Sequence, residues 1–171
     1  MTIKTQSIIT VIVALALFRL MQLIPNVSPI AAMALFAGAQ FTDKKMAFVI
    51  PFAALLVSDF ILGMHSTMIF VYAAFAVTVL VGISIQKRQT IASVLVAAIG
   101  TSLMFFLVTN AGVWMMYDSY APGFNGLIEA YIAGIPFYQN TLLGDLFFST
   151  VLFGGYALIK QSYQAEHSTK A

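Results

Sequence analysis

Three charged residues interrupt long apolar runs of this sequence: Arg19, Asp59 and Asp145. A charge at the centre of a membrane helix is disfavoured by about 2.5 to 3.5 kcal/mol, so such a residue pairs, lines a pathway or holds a ligand. The Arg19 guanidinium offers five donors in a fixed fork, suited to an anionic or carbonyl group of a solute or to bridging two carboxylates. Asp59 and Asp145 would accept donors or hold Arg19 rigid. Asn110 adds an amide that both donates and accepts, and Trp114, one helical turn on, shares its face. Asn26, Asn140 and Tyr117 complete the candidate set. This is the chemistry of binding. An arginine between two aspartates would keep both ionised, which argues against an acid and base pair. No glycine-rich phosphate loop, HExxH or Gly-x-Ser-x-Gly motif is present. We therefore expect no enzyme, no cofactor and no metal site.

Those residues must be carried by membrane helices. The chain has 171 residues, of which 61% are hydrophobic and only 8% charged, with a mean hydropathy of +0.95. Soluble domains carry about 25% charged residues, so this composition indicates an integral membrane protein. A net charge of +2 is too small to suggest nucleic acid as a partner, and the absence of cysteine excludes disulfides and thiolate metal sites. The expected fold is all-α, a bundle of six transmembrane helices at 7–24, 29–42, 46–63, 66–85, 90–114 and 140–160. Residues 1–160 would form one domain and 161–171 a disordered cytoplasmic tail. The second span is short, opens on Ser28-Pro29 as cap and first-turn pair, and is rich in alanine and glycine. It should therefore pack closely against a neighbour.

Basic residues set the orientation. Lys4, Lys44, Lys45, Lys87, Arg88, Lys160 and Lys170 all fall on one side of the six spans, which makes that side, with both termini, cytoplasmic. On this layout Arg19, Asp59 and Asp145 each lie about 6 to 8 Å inside the outer boundary, at about 1.5 Å per residue. Three helices then contribute one polar layer, rimmed by Gln22, Asn26, His65, Asn110, Trp114 and Asn140. The connection 115–139 is the long outer loop. Its apolar stretch from Gly126 to Ile135 is expected to form a short interfacial helix with Glu129 facing water, ending near Pro136 and serving as a lid. His65 lies in a Gly-Met-His-Ser turn, where a lone histidine is ordinarily solvated.

The segments Asn26-Val27-Ser28-Pro29-Ile30-Ala31-Ala32-Met33, Ser58-Asp59-Phe60-Ile61-Leu62-Gly63-Met64-His65, Thr109-Asn110-Ala111-Gly112-Val113-Trp114 and Pro136-Phe137-Tyr138-Gln139-Asn140-Thr141-Leu142-Leu143-Gly144-Asp145 resemble the motifs of an uncharacterised family of small bacterial membrane proteins of transport type. More distantly, the chain resembles the S components of energy-coupling factor vitamin transporters. That resemblance implies a membrane subunit of the bacterial inner membrane that captures a small nutrient, such as a vitamin or cofactor precursor, from the outer side. It also implies a transmembrane coupling protein and ATPase subunits as partners. Two other classes stay open on the residues alone. One is a structural or assembly subunit whose charges lock helices together; the other is a proton- or ion-coupled carrier using Asp59 and Asp145.

Overall fold

The structure, a computed structural model, describes Ile9, Thr10, Ile12, Phe18 and residues 25–168. Arg19, Gln22 and most of the expected first span lie outside the described residues. Five helices follow: α1 (Ile30–Gln40), α2 (Lys44–Leu62), α3 (Met68–Ile85), α4 (Ile91–Met116) and α5 (Phe124–Ser168). No strand occurs among the described residues. Among the described residues four helices, α2 to α5, are long and apolar enough to cross a membrane.

Local chemistry sets the helix ends. The Asp43 carboxylate accepts the Lys45 amide at 2.8 Å and starts α2, and Gly63, at φ 109°, ends it. Thr90 and Ser93 exchange backbone and side-chain hydrogen bonds in a capping box that opens α4. At α1 the cap differs from expectation: Pro29 occupies the cap position, and the Ser28 hydroxyl accepts from the Ile30 amide at 3.4 Å.

The short helix is the centre of the bundle. α1 has 11 residues, about 16 Å of helix, which is half the thickness of a bilayer core and too little for the full span expected at 29–42. Ile30 and residues 32–39 are buried, as suits a helix that is hydrophobic all round. It packs against α2, α3, α4 and α5 alike, whereas α2 packs on neither α4 nor α5 among the described residues. The crossing of α1 and α3 is backbone on backbone. A Cβ at Gly38 would collide with the Val79 carbonyl oxygen and sit 3.0 Å from the Gly82 Cα, and one at Gly82 would collide with the Leu35 carbonyl oxygen. Small residues permit that approach.

A glutamine clasp closes one end. Gln40 donates to the Gln89 side-chain oxygen at 2.6 Å, Gln89 to the Ala39 carbonyl at 2.9 Å and Gln86 to the Phe41 carbonyl at 2.8 Å. The α1–α2 and α3–α4 turns are thereby tied together. Lys44, Lys45, Lys87 and Arg88, all exposed, gather at this end.

α5 overturns the expected outer loop. Instead of a short interfacial helix ending near Pro136, one helix of 45 residues runs from Phe124 through Pro136 to Ser168, and the connection from α4 shrinks to 117–123. Proline removes one backbone donor and normally interrupts a helix, but packing against a neighbour sustains kinked membrane helices. Here the neighbour is α4. The Tyr131 hydroxyl donates to the Leu107 carbonyl at 3.1 Å, and the Phe106 ring lies 5.7 Å from Tyr131 and 4.9 Å from Tyr138. α5 remains helical at 161–168, where a disordered tail was expected. Its total length is about 67 Å, so it extends beyond the bilayer.

Candidate functional site

α4 and α5 form an antiparallel hairpin whose connection is pinned by Trp114: its indole donates to the Ala121 carbonyl at 3.1 Å. Between the two helices, away from the basic end, lies a cleft of about 300 Å³ lined by Asn26, Phe105, Phe106, Thr109, Asn110, Gly134, Phe137, Tyr138 and Thr141. The turn leading into α1 reaches it because Asn140 donates to the Pro25 carbonyl at 3.1 Å. Asn26 enters with φ 61°, a left-handed backbone that asparagine tolerates better than most residues. Lower on α5, Gly144 lets the chain at Val27 approach: an added Cβ would meet the Val27 Cα at 3.3 Å.

The polar side chains of the cleft are oriented by their own helices. Asn110 donates to the Phe106 carbonyl at 2.8 Å, Thr109 to the Phe105 carbonyl at 2.8 Å and Thr141 to the Phe137 carbonyl at 3.0 Å. The threonine hydroxyl donors and one of the two Asn110 amide hydrogens are thus used, and the oxygens remain as acceptors. The Asn110 carboxamide oxygen lies over Gly134, where a Cβ would collide with it and stand 2.9 Å from the Phe106 ring. With the rings of Phe105, Phe106, Phe137 and Tyr138 as walls, the site suits a compact aromatic or heterocyclic solute that presents N–H or O–H groups.

The expected polar layer separates into distinct places. Asn26 and Asn110 line the cleft, and Asn140 secures its edge. Trp114 spends its indole donor on the connection, and Tyr117 is 41% exposed just past the end of α4. Asp59 is buried on α2, at 2% exposure, but α2 packs on neither helix of the cleft. Arg19 lies outside the described residues. His65 is exposed in its turn and hydrogen-bonds Thr67 at 2.9 Å.

Asp145 is 3% exposed and lies against Ser102 of α4, which stands about 17 Å from the start of that helix at Ile91 and about 21 Å from its end at Met116. The expected depth counted α5 from residue 140, but the helix begins sixteen residues earlier, at Phe124. Thr141, one turn towards the cleft, shares the face of Asp145. Phe105, Phe106, Gly134, Phe137, Tyr138 and Thr141 were not anticipated as site residues. In sequence they resemble ordinary membrane packing, and only the spacing of Asn110 and Trp114 along one helix face signalled a shared surface.

A model of a family of unknown function, DUF6580, matches residues 1–167, and the chain belongs to that family. No curated protein and no solved structure matches it.

Proposed function

We propose that this member of DUF6580 is a substrate-binding membrane subunit, similar in role to the S components of energy-coupling factor transporters, that captures a small nutrient such as a vitamin or cofactor precursor. The observation that supports this most is the α4–α5 cleft: about 300 Å³ of space walled by aromatic rings and supplied with amide and hydroxyl oxygens. That combination of an apolar enclosure with a few convergent polar groups is typical of small-molecule sites. Its position away from Lys44, Lys45, Lys87 and Arg88 supports an outward-facing site, because basic residues mark the cytoplasmic side. On this reading the protein resides in the bacterial inner membrane with both termini inside, and hands its solute onward with a coupling protein and ATPase subunits.

The ligand would lie between the α4 and α5 rings and donate to the Asn110 and Thr109 oxygens, with Asn26 closing over it. The experiment is mass spectrometry of small molecules released from gently purified protein, repeated on Asn110→Ala and Gly134→Ala. A defined solute that copurifies with the wild type and is lost from both folded variants is the expected result. Absence of any solute from the wild type, or equal retention by both variants, would sink the reading. Capture of a coupling protein and ATPases on the same preparation tests the subunit role separately from binding.

A further inference from the structure

The basic end of the bundle carries more positive charge than the chain can neutralise. Lys44, Lys45, Lys87 and Arg88 are exposed there. Tyr156 of α5 sets its ring 5.6 Å from that of Phe36 on α1, and Lys160, exposed one turn beyond Tyr156, joins the same end. The whole sequence has six acidic residues. Asp59 and Asp145 are buried, while Asp118 and Glu129 lie at or near the α4–α5 connection at the far end. Only Asp43 and Glu166 remain to set against these five cations, so the end stays positive wherever Glu166 lies.

The charges stand on a fixed frame. Lys87 and Arg88 lie between Gln86 and Gln89, and both glutamines are anchored across the clasp, Gln86 to the Phe41 carbonyl at 2.8 Å and Gln89 to the Ala39 carbonyl at 2.9 Å. The Arg88 amide donates to the Ile85 carbonyl at 2.9 Å, and the Ser93 hydroxyl donates to the Arg88 carbonyl. On the other turn Asp43 holds the Lys45 amide at 2.8 Å. Two basic pairs on two tied turns keep a set spacing, which lowers the ordering needed to bind an anion. Each pair also runs directly into exposed hydrocarbon. Val49, one turn after Lys45, is 59% exposed, and Ile91, three residues after Arg88, is 83% exposed. Both belong to helices apolar and long enough to span a membrane.

That pairing of charge with hydrocarbon selects the occupant. A soluble anion or an acidic protein segment would use the cations and leave Val49 and Ile91 without a role. An anionic phospholipid uses both: its phosphate meets the lysine ammoniums and the Arg88 fork, and its acyl chains lie along the apolar side chains beneath. Basic pockets between membrane helices at headgroup level hold anionic lipids in this way. We infer that Lys44, Lys45, Lys87 and Arg88, spaced by the glutamine clasp, form a binding site for an anionic phospholipid headgroup. Gln86 and Gln89 are its positioning residues. The site is independent of the α4–α5 cleft and of what that cleft holds.

The test uses full-length protein in detergent, stripped of lipid and titrated with phosphatidylglycerol, with phosphatidylcholine as the control; native mass spectrometry counts the bound lipid. Wild-type protein should bind phosphatidylglycerol at least about tenfold more tightly than phosphatidylcholine. Lys87→Gln and Arg88→Gln should each weaken that binding about fivefold. Gln89→Ala leaves the charge unchanged and should still weaken it about threefold or more, because the two turns lose their spacing. Should that variant not stay monodisperse, Gln86→Ala, which releases only the Phe41 carbonyl, gives the same reading. Ile91→Ser should weaken lipid binding with every charge in place, and Asn110→Ala, in the cleft, should bind lipid as the wild type does. The inference is overturned if phosphatidylcholine binds as tightly as phosphatidylglycerol, or if both charge variants keep wild-type affinity. It is equally overturned if the folded clasp variant binds normally, since charge alone would then act without a built site. Displacement of the lipid by an equal concentration of glycerol phosphate would make this a soluble-anion site. Tight binding of an acidic peptide, with lipid binding indifferent to Ile91→Ser, would make it a protein-docking face; either result also overturns the inference.

Discussion

The α1–α3 crossing and the α4–α5 seam are both interfaces between buried helices, and they are built in opposite ways. At the crossing, Gly38 and Gly82 bring backbone against backbone, and Thr78, on the neighbouring turn of α3, satisfies its hydroxyl on its own helix. In the seam, aromatic rings hold the helices far enough apart to leave a cleft, with Asp145, Ser102 and Ser149 buried below it. Close packing with every polar group satisfied makes a scaffold. Space lined by aromatic rings and acceptor oxygens is what a small solute could use. On the reading proposed above, α4 and α5 would carry the binding site and α1 and α3 would hold them.

The comparison breaks most visibly at the crossing. Gly82→Leu should remove about 3 kcal/mol or more, because a branched side chain must displace the Leu35 carbonyl and hence all of α1; loss of monodisperse protein on size exclusion is the expected outcome. Gly134→Ala, in the seam, should give a folded protein that is about 1 to 3 kcal/mol less stable, with Asn110 and Phe106 displaced. Chemical denaturation and solute retention would measure the two effects. Gln89→Ala opens the clasp and removes bonds to Gln40 and Ala39, for a loss of about 1 to 2 kcal/mol readable by the same denaturation. Ser102→Ala sharpens the contrast within the seam. It removes the hydroxyl that meets the Asp145 carboxyl, so its stability should fall by about 1 kcal/mol by the same denaturation. A change under about 0.3 kcal/mol would mean that the hydroxyl contributes nothing to the seam.

Much of the scaffold was legible before any tertiary information. The apolar runs behind α2, α3 and α4 appear within a few residues of their observed bounds, because length and hydropathy are local properties. The alanines and glycine of 30–40 announced close packing, and Gly38 delivers it. Other parts were not legible. Pro136 suggested an end, and a proline inside a helix reads that way unless a partner such as α4 is known to lie alongside. The candidate site was half visible. Asn26 and Asn110 stood out as amides among hydrocarbon, whereas Phe106, Phe137 and Tyr138 resemble any lipid-facing aromatic until their rings are placed around a space. Ser102 and Ser149 carried no signal at all, since serine in a membrane helix normally bonds back to its own carbonyl.

By itself the sequence determined the class of protein, the helical segments of α2, α3 and α4, and the small-residue character of α1, because each follows from composition or from neighbours along the chain. Only the tertiary structure decided that the shortest described helix is the hub, that α5 runs unbroken beside α4, and that Asp145 lies against Ser102 near the middle of α4, with α2 and its Asp59 packed elsewhere. Those facts depend on which helix lies beside which and in what register. Register here is set by close contacts such as Gly38 on Gly82 and Asn110 on Gly134, and residues far apart in the chain make such contacts without any local pattern to announce them.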